Sequence, residues 1–219
     1  MRCGTFLAAL GLLLLSPAFA PAAIQYAGQP TNTGYYENGG TVGSDFIANT
    51  SADVVALGVY DVDGDGLAGS HVVGLWTASG TLITSVTVDA GTVDPLSDGY
   101  RWVTANASLV AGQEYVISAG YFGAGVGDYI GVGAPIDPNF TFIEDRDTQG
   151  SSSYAGSPLP DPGPGVAEFP VSSDWGGVGQ TAWYGPNLQV VPEPGTLVIW
   201  SLLGGLGMAV GCSRRRKSA

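Results

Sequence analysis

The stretch Glu114-Tyr115-Val116-Ile117-Ser118-Ala119-Gly120-Tyr121 decides the fold class. Tyr115, Ile117, Ala119 and Tyr121 recur on one side, Glu114, Ser118 and Gly120 on the other, and Val116 is the exception. Period two is the signature of a strand with one buried and one wet face. Arg101 to Leu109 repeats the logic, with Val103, Ala105, Ala107 and Leu109 set against Thr104, Asn106 and Ser108. Val54–Tyr60, His71–Trp76 and Leu82–Val88 read as three further strands. The last two are joined by Ala78-Ser79-Gly80-Thr81, short and glycine-bearing, which predicts a hairpin. Weaker strands are expected near Asp45–Ala48, Asp128–Val132, Phe140–Ile143 and Thr181–Val190. Between Ile24 and Val191 no stretch has the 3.6-residue period of a helix. The pattern predicts an all-β fold, a single β-sandwich of jelly-roll-like wiring. Residues 149–165, rich in Pro, Gly and Ser, are expected to form a long exposed loop.

Both ends depart from this pattern. Arg2, the apolar run Phe6–Leu15 and the small residues Ser16 to Ala23 follow the order of a secretory signal. The apolar run spans only about 15 Å as a helix against a hydrocarbon core of about 30 Å, which argues against a permanent anchor. A proline directly after a cut is a poor signal-peptidase substrate, so Ala20-Pro21-Ala22 with cleavage before Ala23 is favoured over Ala18-Phe19-Ala20. Residues 1–22 are therefore expected to be a signal helix and residues 23–190 the mature domain. At the other end, Val191-Pro192-Glu193-Pro194-Gly195 precedes an uncharged run from Thr196 to Cys212 and then Arg214-Arg215-Arg216-Lys217. Seventeen residues make about 25 Å of helix, enough for a short transmembrane span over about 196–212. The basic end, 214–217, orients such a span with the preceding domain outside.

Pro192-Glu193-Pro194, an uncharged span and a terminal arginine cluster resemble the PEP-CTERM sorting tail. That resemblance covers residues 191–219 and implies recognition and cleavage near the motif by a membrane protease, exosortase. It also implies a transient anchor, followed by transfer to the cell surface or extracellular matrix. Ala56–Tyr60, Gly74–Leu82, Tyr100–Val103 and Ala111–Ile117 resemble uncharacterised β-sandwich modules of exported bacterial proteins, a likeness over about residues 50–125 that speaks to fold alone.

Without its ends the chain keeps eighteen of its nineteen acids and only Arg101 and Arg146 of its seven bases, a formal charge of −16. Such a surface excludes nucleic acid, whose binding depends on cationic side chains neutralising phosphate. Cys3 and Cys212 both lie in the end segments, so the domain has no disulfide and no thiolate chemistry.

Asp61-Val62-Asp63-Gly64-Asp65-Gly66 begins like a calcium loop, with alternate carboxylates and glycine at the sixth place. Val72 stands where the bidentate twelfth acid would be, so Asp61, Asp63 and Asp65 form either an incomplete calcium site or an Asp/Gly turn between strands. Gly123-Ala124-Gly125-Val126-Gly127 precedes no helix and is expected to be a plain loop. His71 is the sole histidine and is expected to be exposed at a strand end. Glu37, Glu114, Glu144 and Glu168 show no spacing that selects a hydrolytic pair, and Glu144-Asp145-Arg146-Asp147 reads as a solvated charge cluster. Trp76 and Trp102 lie within strands and are expected in packing, whereas Trp175, between Asp174 and Gly176, is the candidate sugar-stacking platform. The resulting expectation is a non-enzymatic exported protein of structural or adhesive role, with signal peptidase and exosortase as processing partners. Its alternatives are a module binding extracellular polysaccharide, calcium-assisted or not, and more remotely a glycoside hydrolase.

Overall fold

The structure, a computed structural model, describes residues 22–37, 40–120, 128–147, 169–170 and 183–193. Thirteen strands occur among them: β1 Ile24–Gln25, β2 Asn32–Glu37, β3 Thr41–Ala48, β4 Ala52–Tyr60, β5 His71–Thr77, β6 Leu82–Val88, β7 Leu96–Ser97, β8 Tyr100–Leu109, β9 Glu114–Gly120, β10 Asp128–Val132, β11 Phe140–Asp147, β12 Trp183–Tyr184 and β13 Pro186–Pro192. One sheet runs β1-β13-β4-β8-β7, a second β11-β3-β9-β5-β6, and a smaller third β12-β10-β2. All pairings are antiparallel.

The two five-stranded sheets share one core, which is what makes the fold a β-sandwich. Val54, Leu57, Val59, Ala105, Leu109, Leu188 and Val190 enter it from the first sheet, and Phe46, Val73, Leu75, Tyr115, Ile117, Ala119 and Phe140 from the second. Tyr26 closes one end, its ring 4.8 Å from Phe46 and 5.4 Å from Phe140. A bulge between Val54 and Ala56 reverses the parity of β4. Val54 and Leu57, three apart, therefore both reach the core, and Ala56 joins Tyr60, Tyr100 and Trp102 in a second cluster. Asn187 ties the two ends of the domain together: its Oδ1 accepts from the Ala27 N–H at 3.1 Å, and its Nδ2 donates to the Ala27 carbonyl.

The expected strands are present, and β5–β6 is the expected hairpin, closed by Gly80 N–H to the Thr77 carbonyl. β8 alternates as predicted, with Thr104, Asn106 and Ser108 exposed. β9 corrects the expectation of one wet face: Val116 and Ser118 are as buried as Ile117. Trp76 explains the dry outer side, because its Nε1 donates to Ser118 Oγ at 2.9 Å and its ring packs edge-on to Phe169. The indole can lie there only because position 74 is glycine, where a Cβ would sit 2.7 Å from Nε1; Gly58 plays the same part beneath Trp102.

Among the described residues no helix is long and apolar enough to cross a membrane. The expected signal segment up to residue 21, the loop at 149–165 and the span at 196–212 lie outside the described residues.

Candidate functional site

The Asp61–Gly66 turn carries the strongest sequence signal for chemistry, and the structure shows what occupies it. A short 3-10 turn covers Val62–Gly64, with Asp63 at φ 64°. Asp61 is buried; its Oδ2 accepts from Arg101 Nε at 2.8 Å and its Oδ1 from the Gly66 N–H at 3.3 Å. The same guanidinium donates to the Asp94 carbonyl at 2.9 Å and the Gly64 carbonyl at 3.1 Å. One carboxylate and two carbonyls thus converge on a cation that the chain supplies itself. Asp63 and Asp65 are exposed. Among the described residues no three acidic, histidine or cysteine side chains are grouped to hold a metal ion. Both Asp61 oxygens are thus engaged, one by Arg101 and one by the Gly66 N–H. Beside it, burial together with Asp63 and Asp61 raises the Tyr60 phenol above its ordinary value.

A second charged centre, on β3 and β11, was not legible as such in the sequence. A bulge between Phe142 and Glu144 shifts the register, so that Glu144 faces Asp45 and Arg146 faces Gly43 on the outer side while Asp145 faces Ser44. Residues 144–146 are therefore not a solvated cluster: Asp145 and Asp45 are both buried, and Arg146 is half-buried. Arg146 Nε donates to Asp45 Oδ2 at 2.9 Å, and Arg146 Nη2 lies 3.2 Å from Glu144 Oε1. Asp45 Oδ1 is buried with no hydrogen-bond partner. Burial pushes the Asp45 carboxyl up to about 6, outweighing the opposite pull of Arg146. Burial also works against the Arg146 charge, but its hydrogen bond to Asp45 and the nearby Asp45, Glu144 and Glu114 leave its affinity for the proton raised.

The other candidates separate. His71 is buried, not exposed: its Nδ1 lies 2.9 Å from the Gly120 carbonyl, which locks the ring against β9. Trp76 and Trp102 are packing residues, each 7% exposed. Glu114 is exposed at the head of β9. Trp175, Glu168, the loop at 123–127 and the basic cluster Arg214, Arg215, Arg216 and Lys217 fall outside the described residues. Of the residues expected to form a sorting motif, Pro192 ends β13 opposite Ala52, the Glu193 N–H donates to the Ser51 carbonyl at 3.3 Å, and Pro194 lies outside the described residues. The last strand thus reaches two residues past the expected boundary at 190.

Residues 27–130 are similar to a family described as a domain of unknown function, DUF4082. The match covers β2 to β9 and most of β10, and omits β11 and β13. No curated protein matches the chain.

Proposed function

We propose that this chain is an exported envelope or extracellular-matrix protein with a structural or adhesive role, released from a transient membrane anchor by exosortase. The observation that carries the reading is the run from the last sandwich strand straight into Pro192-Glu193-Pro194, an uncharged segment and a terminal arginine cluster. β13 is paired with β4 along its whole length and with β1 at Gln189 and Val190, so the tail leaves a strand that is built into the sheet. In this reading residues 1–22 are the signal helix, residues about 196–212 the membrane helix, and the sandwich is wired in jelly-roll-like fashion. In this reading the protein is not an enzyme, and Asp61, Asp45, Glu144 and His71 serve the fold: Asp61 is held by Arg101, Asp45 and Glu144 share Arg146, and His71 lies against a backbone carbonyl.

Mass spectrometry of the protein from its native host tests this directly. The expected termini are Ala23 and a residue at or near Pro192–Pro194. Full-length chains, residues 1 to 219, in the cytosol would overturn it. Retention of the protein on its host's extracellular polysaccharide, lost on Trp175→Ala, would instead assign a carbohydrate-binding role.

A further inference from the structure

Among the described residues the two larger sheets end in four edge strands, and three of them are protected. β1 and β7 have two residues each, too short to template a partner. β11 carries Glu144, Asp145, Arg146 and Asp147 along its second half, and charge on an edge opposes pairing. β6 is the fourth edge, paired among the described residues only with β5. Its seven residues, Leu82-Ile83-Thr84-Ser85-Val86-Thr87-Val88, contain no charge, no proline and no glycine, and five of them are β-branched. This is the composition that adds strands most readily. A bulge at Ile83 interrupts the strand, and over the regular stretch Thr84–Val88 alternate residues direct their N–H and C=O groups away from β5, a length of about 17 Å.

The side chains agree with the backbone. Five large apolar residues are exposed among the described ones; of these, Leu82 and Ile83 lie on this edge, Val93 on the segment that follows it, and Leu96 at the start of β7. We propose that β6 is the contact by which two copies of this chain associate, pairing antiparallel about a two-fold axis through Ser85.

Two observations select a second copy as the occupant. The register centred on Ser85 sets Thr84 against Val86 and Ile83 against Thr87, each an aliphatic residue against a β-branched one, while the bulge at Ile83, which pairs Leu75 with Thr84 and Trp76 with Leu82, leaves Leu82 outside the repeat. A two-fold contact needs this self-complementarity. The domain's charge of −16 makes its copies repel wherever acids face each other, and β6 is a stretch where they do not. A cationic partner, by contrast, would be drawn to the acidic remainder of the surface. A single strand edge with its neighbouring apolar side chains falls in the small, transient class of interfaces, below about 1,200 Å². The association is therefore weak in dilute solution and significant where copies are concentrated, as in a matrix or on a surface.

Sedimentation velocity of the full chain in detergent, from low micromolar to near-millimolar, tests the proposal alongside amide hydrogen exchange. The unmodified chain is expected to dimerise with concentration, and alternate amides of residues 82–88 to gain protection in step. Added salt should strengthen the dimer by screening the mutual repulsion. Ser85→Lys, at an exposed position, should weaken dimerisation about tenfold or more with an unchanged thermal midpoint. Thr87→Lys provides an independent second edge charge. Asn106→Lys, exposed on β8 and carrying the same tail, should dimerise like the unmodified chain. A monomer throughout, or dimerisation that both edge variants leave untouched, would overturn the proposal. So would β6 amides already protected at the lowest concentration, which would mean that the edge is covered by its own chain. These outcomes are independent of where the tail is cut.

Discussion

Asp45→Asn should remove a pH-dependent liability that the structure builds into β3. The Asp45 carboxyl is pushed from 3.8 to about 6, chiefly by burial. Below 3.8 both the folded and the unfolded chain hold this proton, and Asp45 adds no pH dependence. Between 3.8 and 6 the unfolded chain has released the proton and the folded chain has not, so unfolding releases it and stability falls as the pH rises. Above 6 the folded carboxylate is charged, and the cost is complete. The difference between the two values corresponds to about 3 kcal/mol at 1.36 kcal/mol per unit. Asparagine can still accept from Arg146 through its oxygen, but its NH₂ group would take the place of the unpartnered Oδ1. That substitution carries its own cost of about 1–3 kcal/mol, the same at every pH. The informative quantity is therefore the slope. Urea unfolding of both proteins between pH 3.5 and 7.5 should show Asp45→Asn gaining on the parent by about 3 kcal/mol across that range, most of it between pH 4 and 6. A difference that stays flat with pH would refute the reasoning and mean that Asp45 titrates as an ordinary surface carboxylate.

Arg101→Met should destabilise the domain by about 3–5 kcal/mol in the same urea assay, because it leaves the Asp61 carboxylate buried without its cation. Gly74→Ala should cost about 1–3 kcal/mol by forcing the Trp76 indole off β5, with a shift in tryptophan fluorescence as its bond to Ser118 is lost.

Much of the strand order was legible because it is written in local alternation. Leu82–Val88 and Arg101–Leu109 show their period within a single window, and the structure has strands there. β2 was missed: Asn32-Thr33-Gly34-Tyr35-Tyr36-Glu37 has no apolar alternation. The first half of β3 was missed for a related reason. Thr41, Gly43 and Ser44 are small or polar, yet they are buried because β9 and β11 lie on either side. The charged sites failed differently. Asp61 owes its role to Arg101, 40 residues away, and Arg146 owes its role to Asp45, 101 residues away. A bulge at Ile143 then decides which of the four charges at 144–147 faces inward, and no periodicity reports an inserted residue. Val116 was the one local clue to burial on both faces: an apolar residue on the side expected to be wet.

The span similar to DUF4082 ends at residue 130, whereas the folding unit does not. Leu188 and Val190 of β13 are fully buried in the shared core, and β13 separates β1 from β4, so without it the first sheet divides. Phe140 of β11 completes the aromatic contact with Tyr26 and Phe46, and β11 covers the outer edge of β3, where Asp45 sits. The segment after residue 130 therefore supplies a central strand and a protecting edge, not an appendage. Because that strand leads directly into Pro192-Glu193, the sandwich can be complete only once the residues beside the proposed sorting motif have been built into it. Folding of the domain and presentation of the motif are in this way properties of the same strand.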